Sequence, residues 1–463
     1  MYRFLFALVL ISAGVFAPAA LGADSSPIDL QSLIDAAEPG DVLVLDQPVY
    51  EGGITIKKPL TLIGEGMPVI DARGEDSVIL VEADDVTVDG FIIKASGASL
   101  DREDAGVSLT GKRATIRNNQ FEDVLFGVFL RAAPDSLVEG NTFGAKDVFI
   151  ANRGDGIRLW EAERSVVQDN IVEGGRDTVF WFTDEVEVRN NQISGGRYGL
   201  HFMYSDGAIV EGNTLTENSV GAFMMYSRDV TVRNNVMAEN FGPSGYGLGL
   251  KDMDRVAIEG NRMVGNRIGI YYDNTPYAHD EFGYTSHNLI AYNRTGVLLQ
   301  PSVKRNFFSE NAFIDNGEQV GFSGTGSISG NEWSLNGVGN YWSDFAGYDA
   351  NGDGVGDVTY KIDDLYNTLT DSHPELAFFQ DTPAARAMSL SADLFPVLRP
   401  DPLVEDAHPL IARPQLSVLP GDSGNAGRAA LLLTSFVMVT GAIALMAIPS
   451  RHRRTAPNRK AHA

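Results

Sequence analysis

Three side chains set the chemical question in this sequence: His201, Met203 and Met225. They lie in two related segments, Gly199-Leu200-His201-Phe202-Met203-Tyr204 and Gly221-Ala222-Phe223-Met224-Met225-Tyr226. Side chains along a strand alternate between faces. If Leu200 and Phe202 point inward, His201 and Met203 point outward, and Phe223 and Met225 join them one repeat later. An imidazole beside two thioethers suits cuprous ion, because soft sulfur ligands select Cu(I). The same register exposes Phe180 and Phe182 in the preceding repeat and Arg158 and Trp160 before that. Gly249 with Lys251, then Tyr271 with Asp273, follow on the other side. A face carrying Trp160, Phe180, Phe182, Phe223, Tyr271 and Lys251 is expected to contact partners. Two alternatives stand beside this one. A C-terminal loop would turn the stripe into ordinary core by covering it, and a one-residue slip would bury Met203 and expose Phe202.

A second candidate is the run from Asp349 through Asn351 and Asp353 to Asp357. Oxygen side chains at its first, third and fifth positions, with Gly354 in the sixth, match the start of a calcium loop. Tyr360 stands where the bidentate Glu belongs, so a weak calcium site or a plain Asp/Gly turn is expected. Two other motifs carry less. Gly106 to Arg113 imitates a phosphate loop but has Arg113 where Ser or Thr should hold magnesium. His279-Asp280 is an acid–base pair without local support.

Something must hold the His and Met residues in register, and the sequence shows it. Asn119, Asn141, Asn170, Asn191, Asn213, Asn235, Asn261, Asn288, Asn311 and Asn331 each precede a short β-like run. Seven of the nine intervals between them are 20–26 residues, and five copies place a Gly eight residues after the Asn. A period of that size means a solenoid of stacked coils. Alternating runs such as Val186 to Ile193 leave no room for helical crossovers, so each coil holds three short parallel strands. The Asn residues are expected to form a structural ladder from coil to coil. Residues 28–38 read as an amphipathic helix capped by Asp29 and stopped by Pro39-Gly40, placed to cover the open end.

The chain ends differ from this body. Residues 1–23 read as a secretory signal, with Arg3 before an apolar run and small residues at Ala19 to Ala23. Ala429 to Ile448 carries no charge over 20 residues, about the length a bilayer core requires. Arg451, Arg453, Arg454, Arg459 and Lys460 follow, so the tail is expected in the cytoplasm. The expected organisation is a signal peptide (1–23), a parallel β-helix (24–345), a Pro-rich extension or connector (346–427), a transmembrane helix (428–449) and a basic tail (450–463). Seven basic residues lie outside residues 24–427, so the formal charge of −25 becomes −32 within them. That charge disfavours nucleic acid. With 0 Cys in 463 residues, disulfides and thiolate metal sites are excluded.

The run Tyr198 to Ser205, its echo Met225-Tyr226-Ser227, Gly247 to Asp252, Gly339-Asn340-Tyr341-Trp342-Ser343-Asp344 and Asp353 to Asp357 together resemble the NosD family, maturation factors of nitrous oxide reductase. The likeness spans nearly all of residues 24–410. It implies an all-β, right-handed parallel β-helix of about 10–12 coils that is not an enzyme. It implies a periplasmic accessory of an ABC transporter with separate permease and ATPase subunits, assembling the copper centres of nitrous oxide reductase. Copper would arrive from a copper chaperone and be held transiently, with His201, Met203 and Met225 as the expected handlers. A C-terminal helix would tether the chain to the inner membrane. The rival expectation is a polysaccharide lyase or epimerase on the same kind of solenoid, with Asp177, Arg197 and Lys251 in a cleft.

Overall fold

The computed structural model describes residues 28–323, 329–363, 373–379, 382–394 and 402–415. Three parallel sheets run along the solenoid, and each coil but the last contributes one strand to each sheet. The first sheet has 12 strands, from Val42–Leu45 to Asn306–Ser309; the second has 13, from Val49–Glu51 to Tyr341–Trp342. The third, also of 12, runs from Ile54–Ile56 to Glu318–Phe322. The all-β parallel solenoid is therefore present, with about 12 coils against the expected 10–12. The predicted signal peptide and membrane span lie outside the described residues. Among the described residues no helix is long and apolar enough to cross a membrane.

Helix α1 (Leu30–Ala36) covers the first coil as expected. The Asp29 carboxylate accepts from Ser32 N at 3.1 Å, and Leu30 and Ile34 are buried against the solenoid end. Inside, apolar residues stack into continuous columns. One runs Leu159, Phe180, Phe202, Met224, Leu250 and Tyr272, each the partner of the next and each nearly inaccessible. Burying whole columns of this kind lets strands of three residues persist, because no coil would bury its apolar face alone.

The Asn ladder forms at the turn before the second sheet. Asn191 N donates to Asn213 Oδ1 at 2.9 Å, and Asn213 N donates to Asn235 Oδ1 at 2.9 Å. Each side-chain amide also reaches a carbonyl of the preceding coil, as Asn213 Nδ2 does to Val188 O at 2.8 Å. One rung differs from expectation. Asn311 passes the ladder to Asn340 rather than to Asn331, which accepts instead from Asn306 N at 3.2 Å. Asn340 N then donates to Asp406 Oδ2 at 2.8 Å, and Trp342 Nε1 donates to the same oxygen at 2.9 Å. Asp406 ends Val404–Asp406, which pairs antiparallel with Tyr360–Ile362. Part of the Pro-rich region thus closes the last coils. A second ladder, Asn218, Asn240, Asn266, Asn293 and Asn316, runs beside the first.

Candidate functional site

Six strands of the third sheet carry the candidate residues: β1 (Ile157–Trp160), β2 (Asp177–Trp181), β3 (Tyr198–Met203), β4 (Val220–Met225), β5 (Tyr246–Lys251) and β6 (Ile268–Asp273). Their outward side chains form two columns. One runs Trp160, Trp181, Met203, Met225, Lys251 and Asp273. The other runs Arg158, Val179, His201, Phe223, Gly249 and Tyr271. Met203 and Met225 are direct ladder partners, both partly exposed, with His201 two residues before Met203 on the same face.

Phe180 is a correction. It was expected on the outer face, yet it is fully buried and stacks on Phe202 at 4.6 Å. The cause is a missing residue. Between the pairs Asp177–Tyr198 and Val179–His201, β2 has one residue where β3 has two. The register shifts there, and a shift of one flips every later side chain. Val179 and Trp181 therefore take the outward places. Phe182 is exposed, but from the turn beyond β2.

His201 faces outward and is nonetheless 7% exposed. Trp181 and Tyr198 close over the ring, with centroids at 5.4 and 4.7 Å. Neither ring nitrogen has a hydrogen-bond partner, although Nδ1 lies 3.8 Å from Asp177 Oδ2. A buried polar atom left unpaired costs free energy comparable to a lost hydrogen bond, so an unpartnered imidazole calls for a ligand or bound water. Asp177 is buried, which opposes its ionisation. The His201 and Arg197 side chains outweigh that and hold its carboxyl below the usual range. Arg197 Nε donates to Asp177 Oδ1 at 3.0 Å. Asp155, one coil earlier, is pushed up to about 7 by burial and then by the charge of Asp177.

The flanks of the stripe are aromatic and ionic. Trp160 packs against Trp181 and Phe182, both with centroids at 5.6 Å. Arg158 sits over Phe129 and Trp181 at 5.0 and 5.5 Å, a cation–π arrangement. Phe223 meets Tyr246 at 6.0 Å, and Tyr246 stacks on Tyr271 at 4.4 Å. Lys251 Nζ pairs with Asp273 at 2.8 Å, whereas Arg197 pairs with Asp177. Just beyond the stripe Phe182, Tyr204 and Tyr226 stack at 5.1 and 5.0 Å. All three have φ between +52° and +55°, a backbone region that costs a bulky L-residue ~1–2 kcal/mol.

The calcium expectation gains no support from the structure. Asp349 turns both oxygens onto the loop's own backbone, accepting from Gly352 N at 2.6 Å and Gly354 N at 2.8 Å. Asn351, Asp353 and Asp357 likewise accept from backbone N–H groups. Among the described residues no group of three or more His, Cys, Asp or Glu side chains is placed to hold a metal. A soft site built on methionine lies outside that count.

The family model described as "Periplasmic copper-binding protein (NosD)" matches residues 144–347, which contain every outward residue named above. A "Probable ABC transporter binding protein NosD" of Stutzerimonas stutzeri is 30% identical over 388 residues, covering 80% of this chain and 86% of that one. The protein of the same description from Pseudomonas aeruginosa is 32% identical over 378 residues, covering 79% and 87%. This chain belongs to the NosD family. Solved structures with a similar course include the A-module of mannuronan C-5 epimerase AlgE6 from Azotobacter vinelandii, at TM-score 0.48 and 17% identity, covering 66% of this chain and 93% of the module. The N-terminal fragment of bacteriophage Phi29 gene product 12 matches at TM-score 0.49 and 13% identity, covering 68% of this chain and 69% of the fragment. In this NosD-family chain the His201, Met203 and Met225 grouping lies within the matched segment.

Proposed function

We propose that this NosD-family chain is the periplasmic binding component of an ABC transporter system that assembles the copper centres of nitrous oxide reductase. Copper is cargo in this reading, received as Cu(I) from a copper chaperone and held in transit by His201, Met203 and Met225. A C-terminal membrane helix keeps the chain beside the permease and its ATPase. The observation that carries the reading is the imidazole of His201, buried with neither nitrogen hydrogen-bonded and Nδ1 3.8 Å from Asp177 Oδ2, on the face where Met203 and Met225 are ladder partners. Thioethers bind Cu(I) in preference to hard divalent ions, and the absence of Cys keeps affinity low enough for release. The aromatic flank excludes water around the cargo. Complementing a deletion strain tests this. Wild-type chain restores copper to nitrous oxide reductase, and H201A/M203L/M225L leaves it at the deletion level. Normal copper content with the variant overturns the proposal.

One observation favours a second reading, an enzyme on polysaccharide. Asp155, with its carboxyl at about 7, lies within the field of Asp177, Arg158 and Arg197, and a carboxyl so placed is able to take and return a proton. Incubation with polyuronates separates the two. Unsaturated or epimerised product supports the enzyme, and unchanged polymer supports cargo binding.

A further inference from the structure

The stacked rings of Phe182, Tyr204 and Tyr226 continue toward solvent from the column that holds Met203 and Met225. Tyr204 directly follows Met203, and Tyr226 directly follows Met225. Phe182 and Tyr204 are 42% and 45% exposed, large values for rings that stack nearly parallel at 8°. Beside them opens a pocket of about 560 Å³, which Tyr204 and Tyr226 line. Four carboxylates also line it, those of Asp184, Asp206, Asp252 and Asp254. Its one cation, Arg228, is committed to Asp206, with Nε donating to Oδ2 at 2.7 Å. Four acids against one base give the lining residues a formal charge of −3, and Lys251, outside the lining, brings its Nζ to 3.9 Å from Asp252 Oδ2.

Stacking covers both faces of Tyr204, which leaves the outer face of Tyr226 open beside a lining with more carboxylates than cations, and that pairing matches one chemistry. A guanidinium or ammonium lies over the ring, drawn by its quadrupole, while its N–H groups reach the acids. Hydrophobic burial alone would call for an apolar rim, and this rim is anionic. The geometry points to a docking groove for a cationic, Arg- or Lys-bearing extended segment of a partner protein. Such a segment, laid along Tyr204 and Tyr226, sets its own protein directly above Met203 and Met225. The inference deepens the cargo reading by naming the partner's chemistry, and the docking itself requires no copper.

The test uses the full chain without copper and a probe peptide alternating Arg and Thr. The control peptide carries citrulline for Arg, which keeps the shape and removes the charge. At low ionic strength the Arg peptide is expected to bind at least tenfold tighter than the control, and salt to erase the difference. Y204A/Y226A abolishes the preference. D252N/D254N, which leaves the rings in place, reduces it at least fivefold, and circular dichroism identifies any variant that misfolds. Equal binding of the two peptides overturns the proposal, as does an unchanged preference in the folded D252N/D254N chain. Binding of a neutral oligosaccharide in place of the Arg peptide also overturns it. Loss of Cu(I) binding in an M203L/M225L chain that still prefers the Arg peptide would bear on cargo alone, so the two claims fail separately.

Discussion

Val179 lies directly opposite His201 in the third sheet, and that pairing places Phe180 on Phe202 inside the solenoid. The two faces of β2 are thereby assigned, with consequences for neighbouring aromatics that look alike in sequence. Phe180→Ala removes a fully buried ring and is expected to destabilise by ~3–5 kcal/mol. Phe182→Ala removes an exposed ring and should cost under ~1 kcal/mol. Urea unfolding of the two variants checks the ordering, and a reversal would mean that the register is misassigned.

The Asn ladder makes a second prediction. Asn213 donates to Val188 O and Asn235 Oδ1 and accepts from Asn191 N and Asn191 Nδ2, all within 3.0 Å. Asn213→Ala strands these buried groups, at ~1–3 kcal/mol for each left unsatisfied. Thermal unfolding should show a loss at least as large as that of Phe180→Ala. Asn213→Asp, which keeps the acceptor and removes the donor, should lose less. A neutral outcome for Asn213→Ala would mean that water replaces the rung.

Asp155 predicts a pH dependence with a definite sign. Its folded carboxyl stands at about 7 against an ordinary 3.8, so the fold favours the protonated form. That contribution is fully present below about pH 4 and is lost as pH rises through 7. Asp177 works in the opposite sense. Its carboxyl is held below the ordinary range, so its contribution is present above about pH 4 and lost as pH falls through its folded value. The windows are separate. Asp155→Asn should therefore flatten the decline in the urea midpoint between pH 4 and 8 while preserving the acid limb. A decline of unchanged slope would remove burial of Asp155 as its cause.

Much of this architecture was legible because burial recurs with the coil. Asn at 20–26-residue intervals and runs such as Val186 to Ile193 are enough to give the three-stranded coil, and Asp29 with Leu30 and Ile34 gives the capping helix. The outward places of Met203 and Met225 follow from alternation alone. Other features depend on where the chain breaks its own period. The register shift between Asp177 and Val179 leaves no mark in composition, and aligning coils on glycine skips β2, which has none. Asn331 has the right residue type and spacing, yet the last rung is Asn340 because Asp406, 66 residues on, accepts from it. The second ladder was open to discovery. Asn218, Asn240, Asn266, Asn293 and Asn316 each follow a rung of the first by five residues. Burial of His201 comes from Trp181, in the coil where the register shifts, and local sequence carries no sign of it.

The most direct measurement is a competition titration of Cu(I) between the full chain and a chromogenic chelator, comparing wild type with M203L/M225L. One Cu(I) per chain, held less tightly than a thiolate site would hold it and weakened at least a hundredfold in a variant of unchanged fold, is the outcome predicted. Undiminished binding by M203L/M225L would contradict copper handling at this face.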